Sequence, residues 1–287
     1  MTNPLPHAVI TGIATGIGHA TAERLVTAGW HVFGTVLDQA EADAASAKFG
    51  EAVTAIIMDV TDDAAVARAA KQVAGALEGR RLDGLVNNAG IAVGGPAMDL
   101  PIADFQMQME VNVTGMLRVT QAFGPLLGTD PERTGKPGRI VNISSVAGQL
   151  GSPFLAPYVA SKHAVEGLSK SLRIELLHYG IDVIMIGPGP VATPIWEKAQ
   201  EIDDTPYHNS PLYPAMKNVR DYFSAAGPAG LPPSRIADRI HHALTTTKPR
   251  QRYAEVPQRF QNWSLPKLLP GKWLDRMIAK RSGIVED

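Results

Sequence analysis

The sequence predicts an α/β protein built on a parallel β-sheet, and three observations point to this fold class. Short apolar runs alternate with helix-like segments along most of the chain, which is typical of βαβ units. A glycine-rich turn separates the first apolar run from the first helix-like segment. Polar residues follow several of the apolar runs, and ligands of parallel sheets collect beyond the carboxyl ends of the strands.

The composition is that of a globular protein. The chain has 287 residues, of which 45% are hydrophobic and 19% are charged, so a single domain over residues 1–287 can bury a sizeable core. A formal net charge of −1 gives no electrostatic case for a nucleic-acid partner. Because cysteine is absent, disulfides, thiolate catalysis and cysteine-bound metals are excluded, and we expect no metal site.

The hydropathy pattern gives no membrane-spanning candidate. No apolar run approaches the ~20 residues that a transmembrane helix needs. The first seven residues are polar and lack the order of a signal peptide. We therefore expect a cytoplasmic protein, and the lack of cysteine fits a reducing compartment.

The glycine turn reads Gly12-Ile-Ala-Thr-Gly16-Ile-Gly18 and follows the strand-like run Ala8-Val-Ile-Thr11. Glycines let the backbone approach a pyrophosphate, and the amino terminus of the next helix offers free N–H groups and a favourable dipole. The turn therefore predicts a phosphate-binding site. The alternative is an ordinary tight turn between a strand and a helix.

The end of the second predicted strand bears on cofactor choice. His31–Val36 is strand-like, and in a dinucleotide-binding fold its end faces the adenosine ribose. Leu37 and Asp38 stand there, without an Arg or Lys that could pair with a 2′-phosphate. We therefore predict NAD as the cofactor, with NADP as the alternative. Asp38 can instead be a simple turn residue.

Two further strand ends carry polar residues. A run over residues 53–58 ends at Asp59-Val60, and a run over residues 82–86 ends at Asn87-Asn88-Ala89-Gly90. Since both lie at the carboxyl ends of predicted parallel strands, we interpret Asp59 and Asn88 as site residues. The alternative is that Asp and Asn are merely common in turns.

Asn112 interrupts an apolar stripe on the long helix predicted after Pro101. An amide on a buried face must be hydrogen-bonded, so Asn112 either satisfies local backbone groups or belongs to a polar site. The next predicted strand, residues 139–143, ends in Ser144-Ser145.

Tyr158 and Lys162 lie four residues apart at the start of a helix-like run, which places them on one helix face. A free phenol has a pKa near 10 and is a poor base at neutral pH. A nearby positive charge favours the phenolate, so the pair is a candidate general acid/base. Alternatively, Tyr158 simply begins the apolar stripe of the helix.

Taken together, these residues resemble the classical short-chain dehydrogenase/reductase family, and more specifically its hydroxysteroid, retinol and alcohol dehydrogenase-like members. The matching motifs stand in the family's order within roughly the first 195 residues: Thr11-Gly12-x-x-x-Gly16-Ile17-Gly18, Asp59-Val60, Asn87-Asn88-Ala89-Gly90, Asn112, Ser144-Ser145, Tyr158-x-x-x-Lys162 and Pro188-Gly189-x-Val191-x-Thr193. The resemblance implies a Rossmann-like three-layer αβα sandwich with a seven-stranded parallel sheet and a small C-terminal substrate lid.

The resemblance also implies a catalytic tetrad. Tyr158 would exchange a proton with the substrate oxygen while hydride passes to or from the nicotinamide. Lys162 would lower the tyrosine pKa and hold the nicotinamide ribose. Ser145, which aligns with the family's serine in preference to Ser144, would orient the substrate oxygen. Asn112 would hold a water that links Lys162 to solvent.

The remaining motif residues are implied to bind the cofactor. Each group meets a different part of the dinucleotide: Gly12, Thr15, Gly16, Ile17 and Gly18 the pyrophosphate; Leu37 and Asp38 the ribose; Asp59 and Val60 the adenine; Asn88, Ala89 and Gly90 the adenosine; Val191 and Thr193 the carboxamide. Tyr158 and Lys162 complete the set.

Two C-terminal regions carry less specific signals. The predicted lid, about residues 194–233, is rich in aromatic residues, which favours an apolar substrate, with Leu150, Phe154 and Trp196 in its wall. Alternatively, these aromatic residues only pack the lid onto the sheet. The extension, about residues 257–287, contains a basic amphipathic segment, which can touch a membrane surface but more often covers a pocket or a subunit interface.

The leading hypothesis is an NAD-linked oxidoreductase that interconverts a secondary alcohol and a ketone on a small lipophilic substrate. One alternative is an NADPH-dependent carbonyl or β-ketoacyl reductase. A second is a binding protein that senses the cofactor without catalysis. The resemblance further implies a homodimer or homotetramer.

Overall fold

The computed structural model describes residues 5–194, 203–227 and 229–285. Its strands form one parallel sheet of seven in the order β3-β2-β1-β4-β5-β6-β7. The strands are β1 His7–Ile10, β2 His31–Val36, β3 Val53–Ile57, β4 Gly84–Asn87, β5 Arg139–Ile143, β6 Asp182–Pro188 and β7 Arg252–Glu255. The predicted α/β class and seven-stranded parallel sheet are confirmed.

Helices cover both faces of the sheet. They are α1 Gly16–Thr27, α2 Gln39–Phe49, α3 Asp63–Ala76, α4 Ile102–Met109, α5 Gly115–Gly124, α6 Ala156–Glu175, α7 Tyr213–Ala226, α8 Pro233–Thr245 and α9 Gly271–Ser282. Successive strand residues point to opposite faces, so Ala8 and Ile10 enter one core with α1, α2 and α8, whereas Val9 enters the other with α3 and α5. The chain therefore forms three layers, αβα.

The long helix predicted after Pro101 is interrupted at its centre. Between α4 and α5, residues Glu110–Thr114 form a π-helical turn that contains Asn112. A π-helical turn adds a residue to the helix and changes the facing of the side chains after it, and such turns are frequent at functional sites. The sequence stripe alone does not reveal this insertion.

The segment predicted as the lid contains an apolar cluster. Buried side chains of α7, with Tyr207 before it, pack against Phe154 near the start of α6. The end of this segment pairs with the loop after β6, because Ala192 N donates to the carbonyl of Leu231 at 3.0 Å. In the C-terminal extension, α9 adjoins α7, and the Arg281 guanidinium lies 5.1 Å from the Tyr222 ring centroid. No helix among the described residues is long and apolar enough to span a membrane.

Candidate active site

The predicted site residues lie at the carboxyl edge of three adjacent strands. In the sheet order, β1 lies next to β4 and β4 lies next to β5. This order brings together the glycine turn after β1, the Asn88 segment after β4 and the Ser144-Ser145 pair after β5. A parallel sheet gathers its strand ends at one edge, which is where such folds bind ligands.

The glycine turn has the geometry of a phosphate cradle. Gly12 and Gly16 have φ values of +73° and +62°, a region that L side chains rarely adopt. A Cβ on Gly18 would overlap with the carbonyl of Gly12, so only glycine fits there. Thr15 precedes α1 without capping it through its side chain, which leaves the first N–H groups of α1 available to an anion. These features fit the pyrophosphate of a dinucleotide.

Asn88 holds this turn in place. Its side-chain Nδ2 donates to the carbonyls of Thr11 at 2.9 Å and Gly12 at 3.0 Å. The Thr11 hydroxyl in turn accepts from the backbone N–H groups of Asn88 and Ala89, both at 2.9 Å. The predicted adenosine segment and the glycine turn therefore form one hydrogen-bonded unit.

Other predicted cofactor residues lie around this unit. A Cβ on Gly16 would lie 3.2 Å from the Thr193 methyl group, so Thr193 adjoins the turn. The Ile17 and Val60 side chains pack into the cores, and the contact of their backbones with a cofactor stays a prediction. Asp59 Oδ1 accepts from the N–H and the hydroxyl of Thr61, both at 2.8 Å, and this contact also suits a plain turn residue.

Asp38 caps α2 through its side chain. Its Oδ1 accepts from Glu41 N at 2.9 Å, and Glu41 Oε2 accepts from Leu37 N at 2.8 Å. Capping does not occupy every carboxylate lone pair, so Asp38 can cap and still face a ribose. The Leu37 side chain is exposed.

Asn112 is buried and satisfied by its neighbours. Its Oδ1 accepts from Ile91 N at 2.9 Å, and its Nδ2 donates to the Ile91 carbonyl at 3.0 Å and to Ser161 Oγ at 3.1 Å. Gln108, one turn earlier, is also fully buried and accepts from Val93 N at 2.7 Å. Asn112 thus fastens the segment after Gly90, and its proposed water-holding role stays a prediction. Sequence reasoning missed Gln108, although its spacing from Asn112 was a usable signal.

Tyr158, Lys162 and Ser145 meet at the start of α6. The Lys162 ammonium lies 5.6 Å from the Tyr158 ring centroid and donates to the Ile143 carbonyl at 2.9 Å. Burial lowers the pKa of Lys162 to about 8, so the side chain stays mostly charged at neutral pH. Burial raises the pKa of the Tyr158 phenol, and its hydrogen bond with Ser145 opposes that rise. The lowering of the phenol pKa by Lys162 stays a prediction.

The predicted substrate residues have different surroundings. Leu150 is half-buried just after the Ser145 turn. Phe154 has a φ of +61° and is buried in one apolar cluster with Tyr207 and Met216, and its role in a substrate wall stays a prediction. Trp196 lies outside the described residues. The described ranges contain no group of three side chains suited to hold a metal.

Known proteins resemble this chain over most of its length. A family model described as short chain dehydrogenase matches residues 6–204. An NADPH-dependent 3-dehydrocapnine reductase of Ornithobacterium rhinotracheale is 34% identical over 274 residues, which are 96% of each chain. The 17-beta-hydroxysteroid dehydrogenase type 6 of Bos taurus is 34% identical over 257 residues, 85% of this chain and 78% of the relative.

The crystal structure of another protein has the same fold as this chain. A short-chain dehydrogenase from Streptomyces avermitilis has a TM-score of 0.77 and 27% identity, covering 98% of this chain and 96% of that chain. The family match spans the sheet edge that carries the glycine turn and the Tyr158 helix. The chain therefore belongs to the short-chain dehydrogenase family.

Proposed function

We propose that this protein is an NAD-linked dehydrogenase/reductase that interconverts a secondary alcohol and a ketone on a mainly apolar substrate. The observation that carries the proposal is the surroundings of Tyr158. The Ser145 hydroxyl lies near enough to its phenol to lower the phenol pKa, and a buried ammonium from Lys162 lies beside its ring. Together they are suited to move one proton at one substrate oxygen.

Each of these side chains has a distinct task in the proposed reaction. A bound nicotinamide dinucleotide supplies or accepts the hydride. In the oxidative direction, Tyr158 Oη takes the proton of the alcohol, and in the reductive direction it returns a proton to the carbonyl oxygen. Ser145 Oγ donates a hydrogen bond that orients the same oxygen. The charge on Lys162 favours the phenolate form of Tyr158.

The apolar substrate is proposed from the lid and from one relative. The segment proposed as the lid is rich in aromatic residues, and the half-buried Leu150 follows the Ser145 turn. The relative from Bos taurus is named for a hydroxysteroid. Apolar walls favour a ligand that gains affinity by leaving water.

The substrate class is tested with a series of 2-alkanols and 2-alkanones of increasing chain length. We expect kcat/KM to rise about fourfold for each added methylene group that the site buries, since each is worth about 0.8 kcal/mol. The assay follows NADH absorbance in both directions. A preference for small polar alcohols would contradict the apolar assignment. Tight cofactor binding without turnover of any compound would favour the cofactor-sensing protein.

The choice of NAD is proposed from the end of β2. Two carboxylates, Asp38 and Glu41, lie there around the Leu37 backbone, and they would repel a 2′-phosphate. The relative from Ornithobacterium rhinotracheale is an NADPH-dependent reductase. That name favours the second candidate function, an NADPH-dependent carbonyl or β-ketoacyl reductase.

Cofactor preference is measured by titrating the protein with NADH and NADPH and following tryptophan fluorescence. We expect NADH to bind at least about tenfold more tightly, a difference of about 1.4 kcal/mol. The double variant Asp38→Asn/Glu41→Gln should reduce this preference, because Asn still caps α2 but both charges are gone. Asp43→Asn, on the same helix, is the control and should leave the preference unchanged. Tighter binding of NADPH by the wild type would overturn the NAD assignment.

A further inference from the structure

The Ser144-Ser145 segment contacts an ion pair formed by the buried Glu166 and the partly buried Arg252. We infer that these two residues are positioning residues that set the place of the Ser145 hydroxyl relative to Tyr158. Glu166 lies on α6, four residues after Lys162, and Arg252 is the first residue of β7. The inference rests on the proposed roles of Ser145 and Tyr158.

The Glu166–Arg252 pair makes hydrogen bonds to the Ser144-Ser145 segment at two points. Glu166 Oε1 accepts from Ser144 Oγ at 2.7 Å, and Arg252 Nη2 donates to the Ser145 carbonyl at 3.2 Å. Arg252 Nε lies 2.8 and 3.1 Å from the two Glu166 carboxylate oxygens. Both residues of this short segment are therefore attached to the pair, and Ser145 also lies near enough to Tyr158 to lower the pKa of its phenol.

The surrounding backbone leaves room for the pair at two glycines. A Cβ on Gly187, in β6, would overlap with the Arg252 guanidinium. A Cβ on Gly148 would lie 2.9 Å from Glu166 Cγ and 2.8 Å from Ser144 Oγ. Neither glycine has the positive φ that favours this residue. Gly187 and Gly148 therefore leave the space that the Glu166 and Arg252 side chains occupy.

Residues of the C-terminal extension also contact the Glu166–Arg252 pair and its neighbours. The Arg252 guanidinium lies 4.4 Å from the ring centroid of the buried Trp263, and Lys267 Nζ lies 3.4 Å from the same centroid. Lys267 also donates to the Gln149 side chain, whose Nε2 donates to Glu166 Oε2 at 3.2 Å. These contacts close a ring of five side chains behind the Ser145 turn.

A positioning role explains the pair better than stability does. Glu166 is only 2% exposed, and burying an ion pair costs enough desolvation energy that apolar residues of similar size are often as stable or more stable. Such a pair instead fixes the relative positions of the groups that it contacts. Reacting groups lose about a hundredfold in rate when they move by about 1 Å.

The first test compares Gly187→Ala with Gly167→Ala. The added methyl group displaces Arg252 in the first variant, whereas the surroundings of Gly167 are open. We expect Gly187→Ala to lower kcat by about 10- to 100-fold with little change in the KM for the cofactor. The rising limb of its pH–rate profile should move to higher pH, since the Ser145 hydrogen bond lowers the pKa of Tyr158. Equal kinetics in the two variants would overturn the inference.

The second test separates positioning from folding. Glu166→Gln leaves the partly buried Arg252 without its counter-charge and should lower both Tm and kcat. The double variant Glu166→Met/Arg252→Met removes both charges and should regain Tm while keeping the lowered kcat and the shifted pH profile. Wild-type kcat in the folded double variant would overturn the inference.

Hydrogen exchange distinguishes a failure of this inference from a failure of the proposed function. If the wild type turns over no alcohol or ketone, the proposed function fails, and exchange at the amides of residues 144–149 then decides the inference. Faster exchange at the amides of residues 144–149 in Glu166→Gln, with unchanged exchange in α1, supports the positioning role of Glu166 and Arg252. Unchanged exchange at those amides contradicts it.

Discussion

Replacing Tyr158 with phenylalanine is expected to lower kcat by about 10²–10⁴-fold, the usual contribution of a positioned acid/base. The change removes one hydroxyl from a half-buried ring, so the ring still packs at the start of α6. The phenol is the group that the proposed reaction uses to move a proton, and phenylalanine has none. Turnover is measured in both directions with the best alcohol and ketone of the 2-alkanol series.

Cofactor binding gives the internal comparison for this variant. The glycine turn and the Asn88 segment do not touch the Tyr158 hydroxyl in the described contacts, so the Kd for the dinucleotide should stay within about threefold of the wild type. Tyr179→Phe, on an exposed ring at the end of the same helical run, is the control. Near-wild-type kcat in Tyr158→Phe would refute the mechanism.

Replacing Lys162 with methionine is expected to lower kcat by about a hundredfold. The Lys162 ammonium lies beside the Tyr158 ring, and an ammonium about 5 to 6 Å from a phenolate oxygen stabilises its charge by roughly 3 kcal/mol at an effective dielectric constant of about 20. This corresponds to about a hundredfold in the phenolate fraction. The loss should be larger in the oxidative direction, where Tyr158 must act as the base. Lys170→Met, on the exposed side of α6, is the control for changes to the helix itself.

The same substitution should change how stability depends on pH. The pKa of Lys162 is lowered to about 8 in the folded protein from 10.5, so the unfolded chain binds more protons between those pH values. The free energy of unfolding of the wild type should therefore rise, relative to Lys162→Met, by about 3 kcal/mol between pH 8 and 10.5 and stay level below pH 8. Urea unfolding across this range measures the difference, and a flat difference would contradict the burial of a charged lysine.

Much of the sheet was predictable because its strands are short apolar runs bounded by polar or glycine residues. β2 and β5 lie where the apolar runs predicted them, at His31–Val36 and Arg139–Ile143. A parallel sheet is buried on both faces, so its strands need no alternation and stand out by composition. The glycine turn and the Tyr158–Lys162 spacing were equally readable, since both depend on local backbone geometry.

The sequence was less informative where contacts between distant segments determine the local structure. Asn112 was recognisable as an amide on an apolar stripe, but the π-helical turn that contains it depends on packing around the whole helix. The residues against which Phe154 is buried lie more than fifty positions later in the chain, and the sequence did not indicate this contact. Contacts between distant segments leave no periodic signal.

The sequence by itself therefore determined the fold class, the family and the set of residues available for chemistry. Their motifs are short, and the helical and extended backbones set their internal spacing. Only the tertiary structure decided what surrounds them. Glu166 and Arg252 are 86 residues apart, and they meet behind Ser145 because β7 joins the sheet beside β6 while α6 packs across its face. Neither helical periodicity nor strand composition in the sequence predicts this contact between Glu166 and Arg252.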